Sequence, residues 1–129
     1  RTCLAVGAKL WMVRPLGFQL NEKKLRRAGL DYWIDLDWEV VDSWEILVNR
    51  LPARKWCFSK FAERSYTTAT FAPGDALVFG SETSGLPGSI RDACPEQALR
   101  IPMEPPARSL NLATSVAIAG YEAIRQWNA

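Results

Sequence analysis

Apolar positions along this chain come in short clusters separated by polar turns, a spacing that predicts strands and helices in alternation. Leu10 to Val13 reads as a strand stopped by Arg14-Pro15. Asn21 can cap a helix through Ala28, with Gly29 as its C-terminal stop. Trp33 to Leu36 is expected to be a short extended piece. Ser43 or Asp42 can cap a second helix carrying Trp44, Leu47, Val48 and Leu51 on one side. Trp56 to Phe58 and Ala76 to Phe79 read as further strands, the latter entered through the turn Pro73-Gly74-Asp75. A short helix around Ser89 to Ala93 leads to a strand at Leu99 to Ile101. The last helix runs from about Leu110 to Trp127, with Leu110, Ala113, Ala117, Ile118, Tyr121 and Ile124 at helical spacing. Arg1 to Val6 look like the tail of a helix ending at Gly7. Alternation of this kind points to an α/β domain with a parallel sheet. Such a domain usually opens on a strand, so the first strand is expected to be missing from this chain.

Composition removes several chemistries. The 129 residues suit one ordinary core, with 48% hydrophobic and 23% charged positions. No apolar run approaches the ~20 residues of a membrane-spanning helix, and the N-terminus has no signal-peptide pattern, so a soluble, cytoplasmic setting is expected. There is no histidine, which removes Ser-His-Asp and Cys-His catalysis and every His-ligated metal site. Cys3, Cys57 and Cys94 lack metal-ligand spacing and are expected to be buried, reduced thiols. No metal is expected. The net charge is only +2, so any nucleic-acid contact must come from a local patch.

Three segments carry the chemical signal. Phe79 to Pro87 follows a strand directly and holds Gly80, Glu82 and Gly85, at the edge where open α/β sheets bind ligands. The plain alternative is a strand-to-helix loop with an exposed glutamate. Ile101-Pro102-Met103 is followed by Pro105-Pro106, expected to hold the connection extended, and by Arg108 to Ser115. Ser109 is a natural N-cap, and Asn111 in the first turn could meet a ligand or simply be solvated. Finally, Lys23, Lys24, Arg26 and Arg27 surround Leu25, a pattern that can track a phosphate backbone or form a solvated charged face.

Together these segments resemble one family. Phe79 to Pro87 and Arg100 to Ser115 are similar to the second and third motifs of the SpoU-type ribose 2′-O-methyltransferases of the SPOUT superfamily. Arg1-Thr2-Cys3 matches the end of the first motif, whose Asn-x-Gly part does not occur here. The stretch from Lys24 to Trp33 is similar to the branch that methylates the wobble nucleotide, cytidine or uridine, of certain tRNAs. The resemblance implies a single domain over residues 1–129, an α/β knot with a C-terminal trefoil, and S-adenosylmethionine as methyl donor. Carried over by position, Phe58, Gly80, Ile101 and Ser109 would line the cofactor site.

The resemblance places Arg1, Glu82 and Asn111 in the chemistry. A guanidinium with a pKa above ~12 is a poor base, so Arg1 is expected to clamp the neighbouring phosphate and 2′-hydroxyl. Glu82 and Asn111 would fix the loop and the acceptor. Lys23, Lys24, Arg26, Arg27 and Tyr121 would contact RNA, with the anticodon stem-loop of a tRNA as partner. A homodimer built partly on the last helix is also implied, with Tyr121, Gln126 and Trp127 as surface. The rival readings are an RNA-binding module that keeps the cofactor pocket without turnover, an rRNA 2′-O-methyltransferase, and a flavodoxin-like nucleotide-binding domain. Arg14-Pro15-Leu16-Gly17 is a poor phosphate loop for the last of these.

Overall fold

A computed structural model describes residues 1–15 and 31–128. The predicted helix from Asn21 to Ala28, with Lys23, Lys24, Arg26 and Arg27, lies outside the described residues. The chain divides into two units, Arg1–Pro52 and Ala53–Ala129.

In the first unit, α1 (Thr2–Val6) ends at Gly7, whose φ of 71° closes the helix in the left-handed region that glycine enters without strain. Strand β1 (Leu10–Val13) pairs in parallel with β2 (Trp38–Val41), Leu10 opposite Trp38. The sequence reading put an extended piece at Trp33 to Leu36. The structure instead forms a 3-10 turn at Asp31–Ile34 and sets the strand later, at Trp38–Val41. The ring of Trp33 meets Trp38 edge-on at 5.4 Å, packing from the turn onto the strand. Helix α2 (Trp44–Arg50) starts as expected, with the Ser43 hydroxyl accepting from the Ile46 N–H. Of its four predicted inward positions only Leu47 is fully buried, and Val48 is exposed. Lys9 and Arg50 both sit over the Trp11 ring and both bond Glu39. The Arg50 bond first, then that from Lys9, holds the Glu39 carboxyl below its usual range.

In the second unit, β3 (Lys55–Phe58) is central, with β4 (Ala76–Phe79) and β5 (Ala98–Leu99) on either side, all parallel. The short helix α3 (Gly88–Arg91) precedes β5, which is shorter than predicted and leaves Ile101 beyond the ladder. The core gathers Trp56, Phe58, Phe71 and Leu99 under Ala119 and Ala123 of α4 (Leu112–Trp127). That face of α4 is offset from the predicted row. Ala113 and Tyr121 are exposed, because the small side chains Ala119, Gly120 and Ala123 let the helix backbone approach the core. The last turn of α4 is tied to segment 69–71: Gln126 accepts from the Phe71 N–H and donates to the Ala69 carbonyl, each at 2.9 Å, and Trp127 Nε1 donates to the Phe71 carbonyl. Gln126 therefore has an internal role, besides the surface that the resemblance implies for it. Of the cysteines, Cys57 is buried, Cys3 half-buried and Cys94 exposed, so burial holds for one of the three. No described helix is long and apolar enough to cross a membrane.

Asp75 organises the entry to β4. Its Oδ2 accepts from Arg54 Nη2 at 2.7 Å, Trp56 Nε1 at 2.9 Å and the Ala72 N–H at 2.9 Å. Burial pushes its carboxyl up, but the bonds from Arg54, Ala72 and Trp56 and the Arg54 charge outweigh it and hold the pKa below the usual carboxylate value. A lowered folded-state pKa stabilises the fold above the unfolded value of ~3.9, and the contribution disappears as pH falls through the folded value. Asp75→Asn should cost about 1.5–3 kcal/mol at pH 7. Urea denaturation between pH 7 and 3 should show the gap between the two proteins closing in acid. A gap that stays constant would exclude this charge as its source.

Candidate active site

The three strands of the second unit run in parallel, so their carboxyl ends lie along one edge, where this kind of sheet leaves a crevice. A cavity of about 250 Å³ occupies that edge. Each strand contributes the residues that follow it: Ser59 to Phe61 after β3, Gly80 to Leu86 after β4, and Ile101 and Met103 after β5. All four positions expected to hold the cofactor, Phe58, Gly80, Ile101 and Ser109, line this cavity, and Glu82 lines it with them.

The floor is aromatic. Phe58 and Phe79, adjacent in register, stack with ring centroids 4.8 Å apart and planes 15° from parallel. The wall after β4 is a loop closed on itself. Ser81 and Gly85 form an antiparallel bridge, the Gly85 N–H donates to the Ser81 carbonyl at 3.0 Å, and the Ser81 hydroxyl accepts from the Ser84 N–H at 3.1 Å. Gly85 makes the reversal with φ at 68°. The sequence reading gave Gly80 room for a ligand to approach. In the structure its own loop fills that room: a Cβ there would overlap the main chain of Gly85 and Leu86, with Gly85 Cα at 2.6 Å. Gly80 is glycine because the returning loop touches it, and the loop in turn shapes the wall. Glu82 sits exposed in the middle of this turn.

The third wall departs from expectation in two ways. The connection through Pro105-Pro106 is not extended. It turns, and the Ala107 N–H donates to the Glu104 carbonyl at 3.0 Å, closing a four-residue reversal. The helix also starts later: Asn111, not Ser109, is the N-cap of α4, its side-chain oxygen accepting from the Thr114 N–H at 3.2 Å. Both can cap, but Asn111 stands three residues before the N–H it satisfies, so Ser109 stays outside the helix, exposed, on the cavity wall. Asn111 itself is not among the lining residues, whereas its neighbours Leu110 and Leu112 are. Its oxygen is committed to the cap, and its NH2 is the group left to donate elsewhere.

Sequence reasoning missed Lys60, Phe61 and Arg91, which also line the cavity. Position at the carboxyl end of β3 was the available signal for the first two. Arg1 belongs to the first unit and Tyr121 is half exposed on α4.

The roles of the two loop glycines separate in stability. Gly85→Ala meets no atom within 4 Å but must hold a positive φ, at a cost of about 1–2 kcal/mol. Gly80→Ala displaces backbone and should lower the melting temperature further. Equal shifts in thermal denaturation would show that the loop at Gly80 yields.

Comparison with known proteins bears on the identity of this site. The profile described as SpoU rRNA Methylase family matches residues 1–121. The tRNA (cytidine(34)-2'-O)-methyltransferase of Methylovorus glucosotrophus is 44% identical over 128 residues, covering 98% of this chain and 83% of its own. The protein of the same name from Burkholderia ambifaria is 43% identical with the same coverage. A solved structure described as giving insights into the 2-OH methylation of C/U34 on tRNA superposes with a TM-score of 0.91 at 46% identity, over 98% of this chain and 84% of that one. With a family match over nearly the whole sequence and relatives above 40% identity, this chain belongs to the SpoU rRNA Methylase family.

Proposed function

We propose that this chain is an S-adenosylmethionine-dependent tRNA methyltransferase that modifies the ribose 2′-hydroxyl of the wobble nucleotide, cytidine or uridine, with residues 1–129 acting as one domain. The observation that carries the reading is the cavity at the strand ends, which gathers Phe58, Gly80, Glu82, Ile101 and Ser109 in a chain 44% identical to an enzyme named for cytidine 34. The residues present fit the cofactor. Phe58, Phe79, Leu86 and Ile101 offer apolar surface to a flat base, and the loops after β4 and β5 offer main-chain donors and acceptors. When bound, S-adenosylmethionine supplies a methyl group made electrophilic by its sulfonium.

The chain's own residues then have to hold the acceptor oxygen in line and receive or steer its proton. In this reading Arg1 clamps the phosphate and 2′-hydroxyl of the acceptor nucleotide, Glu82 holds the loop, and the Asn111 NH2 orients the acceptor. Lys23, Lys24, Arg26 and Arg27 track the anticodon stem-loop backbone. Tyr121, with half its surface exposed, contacts RNA or a second copy in a homodimer. No metal takes part, and the setting is cytoplasmic. A C-terminal knot belongs to the same proposal. Its support is membership of the SpoU family, whose resemblance implies the knot.

The deciding experiment compares a tRNA substrate with the same RNA carrying 2′-deoxyribose at the wobble position alone. The first should accept a methyl group and the second none; equal methylation of both would refute the ribose target. Arg1→Ala should lower turnover by orders of magnitude while calorimetry with S-adenosylhomocysteine shows near-normal affinity. If Arg1→Lys recovers most of the activity, one positive charge suffices and the two-pronged clamp is wrong.

A further inference from the structure

Phe61 is 67% exposed, more than any other large hydrophobic residue described in the second unit. It takes no part in the core cluster of Trp56, Phe58, Phe71 and Leu99. It lines the cavity, and two cations lie against its ring: the Arg91 guanidinium carbon at 4.9 Å and Lys60 Nζ at 5.3 Å from the centroid. Arg91 is anchored through Nε to Asp92 Oδ1 at 3.2 Å. The charged residues lining the cavity are Lys60, Arg91 and Arg108 against one carboxylate, Glu82.

We propose that Phe61 is a stacking platform for an unpaired base of the RNA substrate, with Lys60, Arg91 and Arg108 meeting the phosphates on either side. The proposal rests on the function given above and adds how the acceptor strand is seated. An exposed aromatic beside cations is the combination that single-stranded nucleic acids engage, because every base has a π-face and every linkage a negative charge. An apolar protein partner would have to strip water from three cations to reach the same ring. The stacked pair Phe58–Phe79 lies deeper, at the strand ends, and Phe61 follows β3 by three residues, towards solvent. The platform holds a base beside the cavity and so positions the neighbouring ribose, without touching the reacting atoms.

The test is equilibrium binding of an RNA hairpin bearing the anticodon loop, beside a duplex of the same length with no unpaired base. Phe61→Ala should weaken hairpin binding about tenfold or more, leave duplex binding unchanged, and leave S-adenosylhomocysteine affinity unchanged. Phe61→Trp should restore the hairpin affinity. In turnover, Phe61→Ala should raise KM for tRNA with kcat largely retained. Unchanged hairpin affinity overturns the platform, as does an equal loss on the duplex. Weakened S-adenosylhomocysteine binding overturns it too, by placing Phe61 in the cofactor's enclosure. These outcomes are separable from the proposed reaction, which stands or falls on the deoxyribose comparison with the unaltered protein. A protein that grips the loop through Phe61 yet methylates neither tRNA keeps the platform and loses the function.

Discussion

The return of the chain onto Gly80 is the constraint from which the site follows. Strand β4 ends against its own succeeding loop, so closely that the backbone of Gly85 and Leu86 occupies the place of a side chain. With that contact go the bridge between Ser81 and Gly85 and the exposed position of Glu82 in the middle of the turn. It also turns Leu86 back into the interior, where it is 9% exposed, so the wall carries an apolar inner surface and a polar rim. The hydrogen bonds of the loop, between Ser81 and Ser84 and from Gly85 to Ser81, lie within it, so its shape leans on the contact at Gly80.

The second unit also fixes β4 at its opposite end. Asp75 joins the turn before β4 to Arg54 and Trp56, at the beginning of β3, through one carboxylate oxygen. Arg54 reaches on to the Thr70 carbonyl, and Gln126 and Trp127 hold the next residues from the last turn of α4. Polar side chains thus clamp segment 69–75. Charge-assisted bonds of this kind are short and directional, which suits anchoring better than apolar contact does. The loops that line the cavity leave the carboxyl edge of the sheet, and the anchoring side chains hold its amino edge.

Local rules revealed what local energies decide. The bounds of β1 and β4, the glycine stop after α1, the Ser43 cap and the Pro73-Gly74-Asp75 turn each depend on a few neighbouring residues, and each was legible. Choices settled by tertiary packing were not. Trp33 and Trp38 are equally suited to a strand, and only their edge-on contact across a turn separates them. Ser109 and Asn111 are both good caps by type, and it is Asn111 that caps α4. The buried face of α4 was hidden because alanine and glycine carry little hydrophobic signal, yet close approach to the sheet selects them. The motifs pointed to Phe58, Gly80, Glu82, Ile101 and Ser109, which the structure gathers in one cavity, whereas Phe61 and its cations became visible only when three strand ends were brought to one edge.

The absence of histidine from the sequence shapes the chemistry this site can run. Without a group titrating near neutrality, strong general-base catalysis would require a carboxylate raised by burial or a guanidinium stripped of its proton. Glu82 is exposed in its turn, and arginine holds its proton far above pH 7. The proton of a ribose hydroxyl can leave late, once the oxygen has begun to bond to an electrophile already activated by positive charge. Catalysis then falls to alignment, for which holding reacting atoms in a near-attack arrangement supplies up to ~7–11 kcal/mol. A loop closed on itself after Gly80, a capped helix at Asn111 and an anchored sheet suit such a reaction.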